Sequence, residues 1–171
     1  MEKWVDRKFN FDFPVEAYPE MINRLKGTLP HLTDLVRELA PDILRRRDEG
    51  KWSIQENAGH LYSTDLLFMG RLEDYLNRLE SLRPADLSGT KTNEADFNKE
   101  TIAGILDKFG KRRIAYIRNL EALDSHYFGR TSFHPRLKTD LRLCDLLYFQ
   151  TEHDDYHLNR IIKLKKKFGV A

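Results

Sequence analysis

Residues 139–168 have the sequence TDLRLCDLLYFQTEHDDYHLNRIIKLKKKF, in which apolar side chains recur at steps of three and four. The positions that share this spacing are Leu143, Leu146, Gln150, His153, His157, Ile161, Leu164 and Phe168. Such a period predicts one long amphipathic helix, and Thr139 is expected to cap it. The shared face is apolar at both ends and polar in its middle, so the helix should carry two imidazoles into a core.

Three earlier segments show the same helical period. The expected helices cover residues 16–39, 53–81 and 95–123, with an extra helical turn near residues 43–47. Pro30 should kink or split the first helix, and Ser53 with Glu56 forms a capping box that marks the start of the second. The connections, including the loop at 84–94 and the segment before Thr139, are polar and rich in turn residues.

Four amphipathic helices must bury their apolar faces against one another, which predicts an all-α four-helix bundle with short extra helical turns. The composition agrees, because 24 Leu against 9 Ile and 4 Val favours side chains that lose little rotamer freedom in a helix. With 171 residues, 40% of them hydrophobic, the chain can bury a core of its own. We expect a single domain spanning residues 1–171.

The charge and cysteine content exclude several classes of protein. The 29 basic and 27 acidic side chains leave a net charge of +2, too little to hold a nucleic acid or a membrane surface. The one cysteine, Cys144, cannot close an internal disulfide, which fits a reducing compartment. No stretch approaches the ~18 apolar residues of a membrane span. We therefore expect a soluble, cytoplasmic protein.

The clearest candidate for chemistry is the pair His153 and His157. Residues four apart lie one above the other on a helix, so two ring nitrogens can converge on one ion. A hydrogen-bonded pair of core histidines is the other interpretation. His60, on the second helix, could supply a third ligand, although it lies off the main apolar face and could be exposed. Three histidines would leave positions open for water and substrate, as in a catalytic metal site.

Other polar residues near these histidines admit two interpretations each. Glu56 could accept a hydrogen bond from His60 or serve only in the capping box. Gln150 faces the same way as His153 and could approach a metal site or fill the core. The side chains of Asp154 and Asp155, and the basic triplet 111–113, are expected on the solvated surface.

The chain resembles the DinB superfamily of DinB/YfiT-like metalloenzymes over almost its full length. The matching pieces are KWSIQE at 51–56, GHL at 59–61, RL at 71–72, HPRL at 134–137 and EHDDYHL at 152–158. Each piece is short, and the combination is specific.

This resemblance implies a mononuclear divalent metal held by one histidine of the second helix and two of the fourth, which are His60, His153 and His157 here. It also implies a homodimer and a metal-dependent thiol S-transferase that activates a low-molecular-weight thiol. The alternatives are a metal-dependent hydrolase and a non-catalytic, stress-related metal-binding module. The identity of the metal stays open, because three imidazoles accept zinc, nickel, iron or cobalt.

Two structural expectations follow. The three imidazoles should surround one ion at roughly 2.0 to 2.3 Å. The aromatic N-terminal segment with Phe9, Phe11 and Phe13 should bury its apolar surface in a homodimer, because it would otherwise be exposed to water.

Overall fold

The computed structural model describes residues 2–170, and four long helices dominate them. These are α1 (Tyr18–Val36), α3 (Ile54–Leu76), α5 (Ile102–Glu121) and α6 (Leu143–Lys167). Two short helices, α2 (Pro41–Arg45) and α4 (Thr90–Glu94), and a hairpin of β1 (Thr131–His134) and β2 (Thr139–Arg142) lie in the connections. Within residues 2–170, no helix combines the length and the apolar character needed to cross a bilayer.

The four long helices pack as a bundle in which α1 and α3 each contact both α5 and α6. The core has two apolar clusters, one around Phe68, Tyr116 and Leu146 and the other around Leu61 and Ile161. Helix α6 contributes residues 143–149 to the first cluster and residues 158–164 to the second. The polar middle of α6 therefore lies between two apolar regions, as its sequence predicts.

The hairpin corrects the purely α-helical prediction and the helix start at Thr139. Thr139 lies in β2, where it pairs with His134 of β1 in an antiparallel register. Helix α6 begins instead after Arg142, whose backbone N–H donates to the Asp145 carboxylate at 2.9 Å. The alternation of exposed and buried residues along TSFH is a strand pattern too short to stand out in the sequence. The hairpin buries His134 beside the core.

Three of the long helices also differ from the prediction. Helix α1 is not split at Pro30, because one missing hydrogen bond does not outweigh the packing of its flanking turns. Helix α3 ends at Leu76, since Arg78 adopts a left-handed conformation with φ 56°. Helix α5 begins only at Ile102, where the Thr101 hydroxyl accepts from the Gly104 N–H at 3.1 Å.

The N-terminal aromatic segment packs on its own chain, contrary to the reason given for a dimer. Phe9 and Trp4 lie with ring centroids 4.9 and 5.0 Å from that of Phe149, and Phe13 lies 5.3 Å from Tyr148. These aromatic side chains are partly buried against the first core cluster. A second copy is therefore not needed to cover them.

Candidate metal centre

The three histidines predicted from the sequence lie close together in the structure: His153 and His157 on α6, and His60 on α3. Each offers a ring nitrogen, and the three nitrogens lie within 4.8 Å of one another. The Nε2 atoms of His60 and His153 are 3.2 Å apart. The ring centroid of His157 is 4.5 Å from that of His60 and 4.6 Å from that of His153. His60 is half-buried rather than exposed, and the other two are buried.

Asn57 determines which nitrogen of His157 is free. The Asn57 side-chain amide donates to the Ser53 carbonyl at 2.7 Å, so its oxygen faces the Nδ1 atom of His157 at 2.9 Å. An amide oxygen only accepts, and His157 must therefore carry its proton on Nδ1. This leaves the Nε2 lone pair available as a ligand. Nothing in the sequence pattern pointed to Asn57, which lies one helical turn before His60.

The segment between α3 and α5 fixes the orientation of the His60 ring. The Nδ1 atom of His60 lies 2.8 Å from the hydroxyl of Thr92, which belongs to α4. The segment approaches α3 closely at Gly59, where an added Cβ would come within 2.2 Å of the Phe97 ring. The sequence prediction of a polar loop here missed both α4 and this contact. A hydrogen bond at Nδ1 orients the ring so that Nε2 faces His153.

His153 lies against a buried ion network. Its Nδ1 atom is 3.8 Å from Oδ1 of Asp154, and neither atom has a hydrogen-bond partner among residues 2–170. The other Asp154 oxygen accepts from the Arg113 guanidinium at 2.8 Å and from the Thr28 hydroxyl at 2.9 Å. Arg113 also donates two hydrogen bonds to Asp65, at 2.8 and 2.9 Å. The surface positions predicted for Asp154 and Arg113 are therefore wrong.

The network keeps a negative charge beside His153. Burial opposes ionisation of Asp154, but the neighbouring Arg113 charge and its hydrogen bonds hold the pKa of this carboxyl below its usual range. The pKa of Arg113 is raised, because Asp154 and Asp65 outweigh the effect of its own burial. An ionised Asp154 favours a proton on Nδ1 of His153, which again leaves Nε2 as the free ligand.

We expect Asp154→Asn to weaken zinc binding by about 10- to 100-fold, the usual effect of losing a carboxylate behind a ligating histidine. Asparagine keeps the size of the side chain, and Arg113 keeps its bonds to Asp65. Competition with a chromogenic chelator measures the affinity. The control is Asp155→Asn, because Asp155 is exposed and pairs with Arg24. Equal zinc affinity in wild type and Asp154→Asn would contradict the role of this carboxylate.

The remaining candidates from the sequence lie beside the site rather than in it. The Glu56 carboxylate accepts from the Ser53 N–H at 2.8 Å and pairs with Arg47, which confirms the capping box and leaves His60 to Thr92. Gln150 is buried, and its amide donates to Asp65 at 3.2 Å. Gln150 therefore belongs to the Arg113 network.

Burial favours the neutral form of two of the three histidines, His60 and His157. Burial, with the neighbouring imidazoles, lowers the pKa of His60 and of His157 well below its ordinary value. Neutral imidazole is the form that binds metal.

A cavity of about 610 Å³ opens onto the three histidines. Its aromatic wall includes Trp52, with its ring centroid 4.7 Å from that of His60, and Trp4, at 5.1 Å from His153. This volume is within the usual range for small-molecule sites. The site therefore has space for a substrate next to the ring nitrogens.

His134 of β1 also lines this cavity. Its pKa is lowered to about 3 by burial and by the charges of Arg71 and Arg136. Since an unfolded histidine titrates near 6.5, the unfolded chain takes up this proton first on acidification. The contribution of neutral His134 is complete above about pH 6.5 and is lost as the pH falls towards 3.

We therefore expect His134→Gln to lose stability less steeply than wild type on acidification from pH 6.5. Glutamine is polar but does not titrate. Both proteins contain His60 and His157, so these two residues contribute equally to the two slopes. Urea unfolding at several pH values measures the slope. Parallel slopes in the two proteins would rule out the buried neutral state of His134.

The donor set fits a divalent transition metal. Two nitrogens that each lie about 2.0–2.1 Å from a tetrahedral zinc ion are about 3.3 Å apart, and the separation of 3.2 Å between His60 and His153 is close to that. Three neutral imidazoles are ligands that zinc, nickel, copper or iron accept, whereas calcium and magnesium prefer oxygen. Without an ion, a proton shared between the two Nε2 atoms would occupy the same place.

Comparison with known proteins places this fold in a known group. A family model described as the DinB superfamily matches residues 24–161, which include all three histidines. No curated protein matches the chain in sequence. YfiT from Bacillus subtilis, described as a probable metal-dependent hydrolase with an unusual four-helix bundle topology, is similar in structure with a TM-score of 0.84 and 20% identity. That similarity covers 96% of this chain and 95% of YfiT.

A mycothiol-dependent maleylpyruvate isomerase is also similar, with a TM-score of 0.66 and 9% identity. The similarity covers 86% of this chain and 60% of the isomerase. At these identities the two structures establish the fold, a YfiT-like four-helix bundle.

Proposed function

This chain belongs to the DinB superfamily, and on that basis we propose that it is a metalloenzyme that holds one divalent ion through His60, His153 and His157 and activates a low-molecular-weight thiol for transfer to an electrophile. The observation that carries this proposal is the convergence of three imidazoles, with Asn57 and Asp154 favouring the Nε2 lone pairs of His157 and His153. When bound, the ion would lower the pKa of a thiol or water and make it a nucleophile near neutral pH.

The chain's own residues would bind, orient and shield the reactants. Asn57 and Thr92 each hydrogen-bond to the outer nitrogen of one histidine and orient its ring. Asp154 places a negative charge 3.8 Å from the outer nitrogen of His153. The indoles of Trp4 and Trp52 exclude water from one side of the cavity, because they lie against His153 and His60. A site of this kind holds its groups in position before the reactants enter, which lowers the entropic cost of bringing them together.

The cavity favours the thiol over a simple hydrolytic reaction. A hydrolase of this kind would be helped by a carboxylate that takes a proton from water. Among the described residues that line the cavity, Asp86 is the one carboxylic acid, and its oxygens accept from the backbone of Ser88 and Lys91. A thiol ionises more easily than water and has less need of such a base. The volume also has room for two reactants.

An S-transfer assay tests the proposal directly. Protein with one equivalent of zinc, nickel or iron is mixed with monochlorobimane and, in turn, with bacillithiol, glutathione and coenzyme A. We expect fluorescence to rise with one thiol only when metal is present. The chelator-treated protein is the control. Turnover of ester or amide substrates with metal and no thiol would favour the hydrolase instead, and metal binding with neither activity would favour a non-catalytic module.

We also propose a homodimer, which rests on the family resemblance alone now that the aromatic segment is covered within the chain. Light scattering at micromolar concentration should give twice the monomer mass of 20.2 kDa. A mass of 20.2 kDa under these conditions would contradict the dimer.

A further inference from the structure

A cluster of cationic and donor groups lies in the cavity wall, and among residues 2–170 no carboxylate forms an ion pair with it. Arg71 of α3 is 1% exposed, and its Nε atom donates to the Arg83 carbonyl at 3.2 Å. Its NH2 nitrogen has no partner among residues 2–170. A buried guanidinium is costly unless its donors are satisfied. Burial, outweighing the nearby Tyr75 and Asp74, lowers the pKa of Arg71 to about 10.

His134 adds a second unsatisfied donor. The Leu137 backbone N–H donates to Nδ1 of His134 at 3.2 Å, so the neutral ring carries its proton on Nε2. That Nε2 atom is buried and also lacks a partner among the described residues. Two buried donors in one wall, each missing an acceptor, indicate that the acceptor comes from a ligand.

Arg136 is the third member of the cluster. Its guanidinium donates to the Trp4 carbonyl at 2.7 Å and lies over the rings of Trp4 and Phe149, at 5.3 and 5.5 Å from their centroids. Burial lowers the pKa of Arg136, and the opposing charge is that of Asp6. The three groups line the same cavity. His134 and Arg136 lie 5.2 and 5.5 Å from the Phe149 ring centroid, and Arg71 lies 5.9 Å from that of the neighbouring Phe68.

The carboxylates near Arg71 are engaged elsewhere. Both oxygens of Asp74 accept from Arg83, whose backbone N–H donates at 2.8 Å and whose guanidinium donates at 2.7 Å. Glu73 also pairs with Arg83. The neighbouring Arg83 is thus neutralised by two acids. Arg71 shares none of the hydrogen bonds of these two carboxylates.

We propose that Arg71, His134 and Arg136 form an anion subsite that binds the carboxylate of a small organic substrate. A guanidinium matches a carboxylate in shape and charge. The rings between the subsite and the metal ligands indicate the rest of the molecule: Phe149 lies 5.2 Å from His134, and Trp4 lies 5.0 Å from Phe149 and 5.1 Å from His153, all between ring centroids. A flat or apolar body fits this layer, so the ligand is an organic acid whose other end approaches the histidines.

The place of this acid in turnover rests on the proposed function, but its binding does not. The test therefore uses metal-free, chelator-treated protein and two probes of the same shape, benzoate and uncharged benzamide. Calorimetry or ligand-observed NMR gives the two dissociation constants. We expect benzoate to bind at least about tenfold more tightly than benzamide, as a charge-assisted pair with a buried guanidinium allows.

Two variants locate the anion. Arg71→Met and Arg136→Gln should each weaken benzoate by at least about tenfold and leave benzamide unchanged. The control is Arg160→Gln, which removes the same charge from a cavity residue that lies near His60 and His157 instead. Its effect should stay below about threefold. If Arg71→Met does not fold, Arg136→Gln decides alone.

Several results would overturn the subsite. Equal affinities for benzoate and benzamide would show that only apolar surface binds. Equal losses in Arg136→Gln and Arg160→Gln would show a diffuse field without a defined site. Benzoate binding that appears only after zinc is added would assign the carboxylate to the metal, which leaves the proposed function intact. Conversely, a protein that binds benzoate but has no affinity for zinc would contradict the proposed metalloenzyme and support the anion subsite.

Discussion

His157→Ala is expected to lower the zinc content of the purified protein from about one ion per chain to nearly none. Two imidazoles and water remain after the change, and loss of one of three protein ligands weakens binding by orders of magnitude. The fold should persist, because the leucine and isoleucine faces of four long helices build the core. Mass spectrometry of bound metal measures the loss.

Thermal unfolding separates this result from general damage. Zinc at about 100 times its dissociation constant should add about 2.7 kcal/mol to the stability of wild type and nothing to that of His157→Ala. The exposed His31 supplies the control, since His31→Ala should keep both zinc and the shift. The interpretation as hydrogen-bonded core histidines predicts instead equal metal content in all three proteins, with a loss of about 1–3 kcal/mol from the unpaired Asn57.

Arg113→Ala is expected to destabilise the protein by about 3–5 kcal/mol, the usual result of removing one partner from a buried ion pair. Asp65 and Asp154 would remain buried without their shared cation. Urea unfolding measures the free energy. Because such a loss is a large part of the stability of a small domain, expression and folding yield should also decline.

Lys111→Ala is a matched control from the same basic triplet. Lys111 is exposed and pairs with Asp107 one turn earlier, and such surface pairs contribute only about 0.3–0.5 kcal/mol. Destabilisation of similar size in Lys111→Ala and Arg113→Ala would contradict the buried network. Removal of the opposite charge in Asp154→Asn should destabilise the protein less than Arg113→Ala, because Arg113 keeps its ion pair with Asp65.

The four helices could be predicted from the sequence because their apolar faces repeat at a helical period. The same signal located His153 and His157, since together with Gln150 they interrupt an otherwise regular apolar face. It could not locate the hairpin, because four-residue strands such as TSFH give too few alternations. Nor could it place Arg113 or Asp154, since a charged residue is buried only when a partner from a distant helix satisfies it. Here the partners come from α1, α3, α5 and α6.

The role of His60 needed the tertiary structure for a similar reason. Its position off the main face of the second helix predicts exposure when the helix is considered alone. The first two turns of α3 are in fact covered on nearly all sides. Helix α4 packs against α3, and the Phe97 ring lies over Gly59. Asn57 and Thr92 were missed because their function depends on the orientation of a neighbouring ring, which leaves no pattern in the sequence.

X-ray absorption at the zinc edge tests the central claim most directly. Protein loaded with one equivalent of zinc should show three imidazole nitrogens at about 2.0–2.1 Å, completed by oxygen ligands. His157→Ala treated in the same way should retain too little zinc to show this pattern. A spectrum with fewer than three imidazoles in wild type, or with sulfur at about 2.3 Å, would contradict a metal site built from His60, His153 and His157.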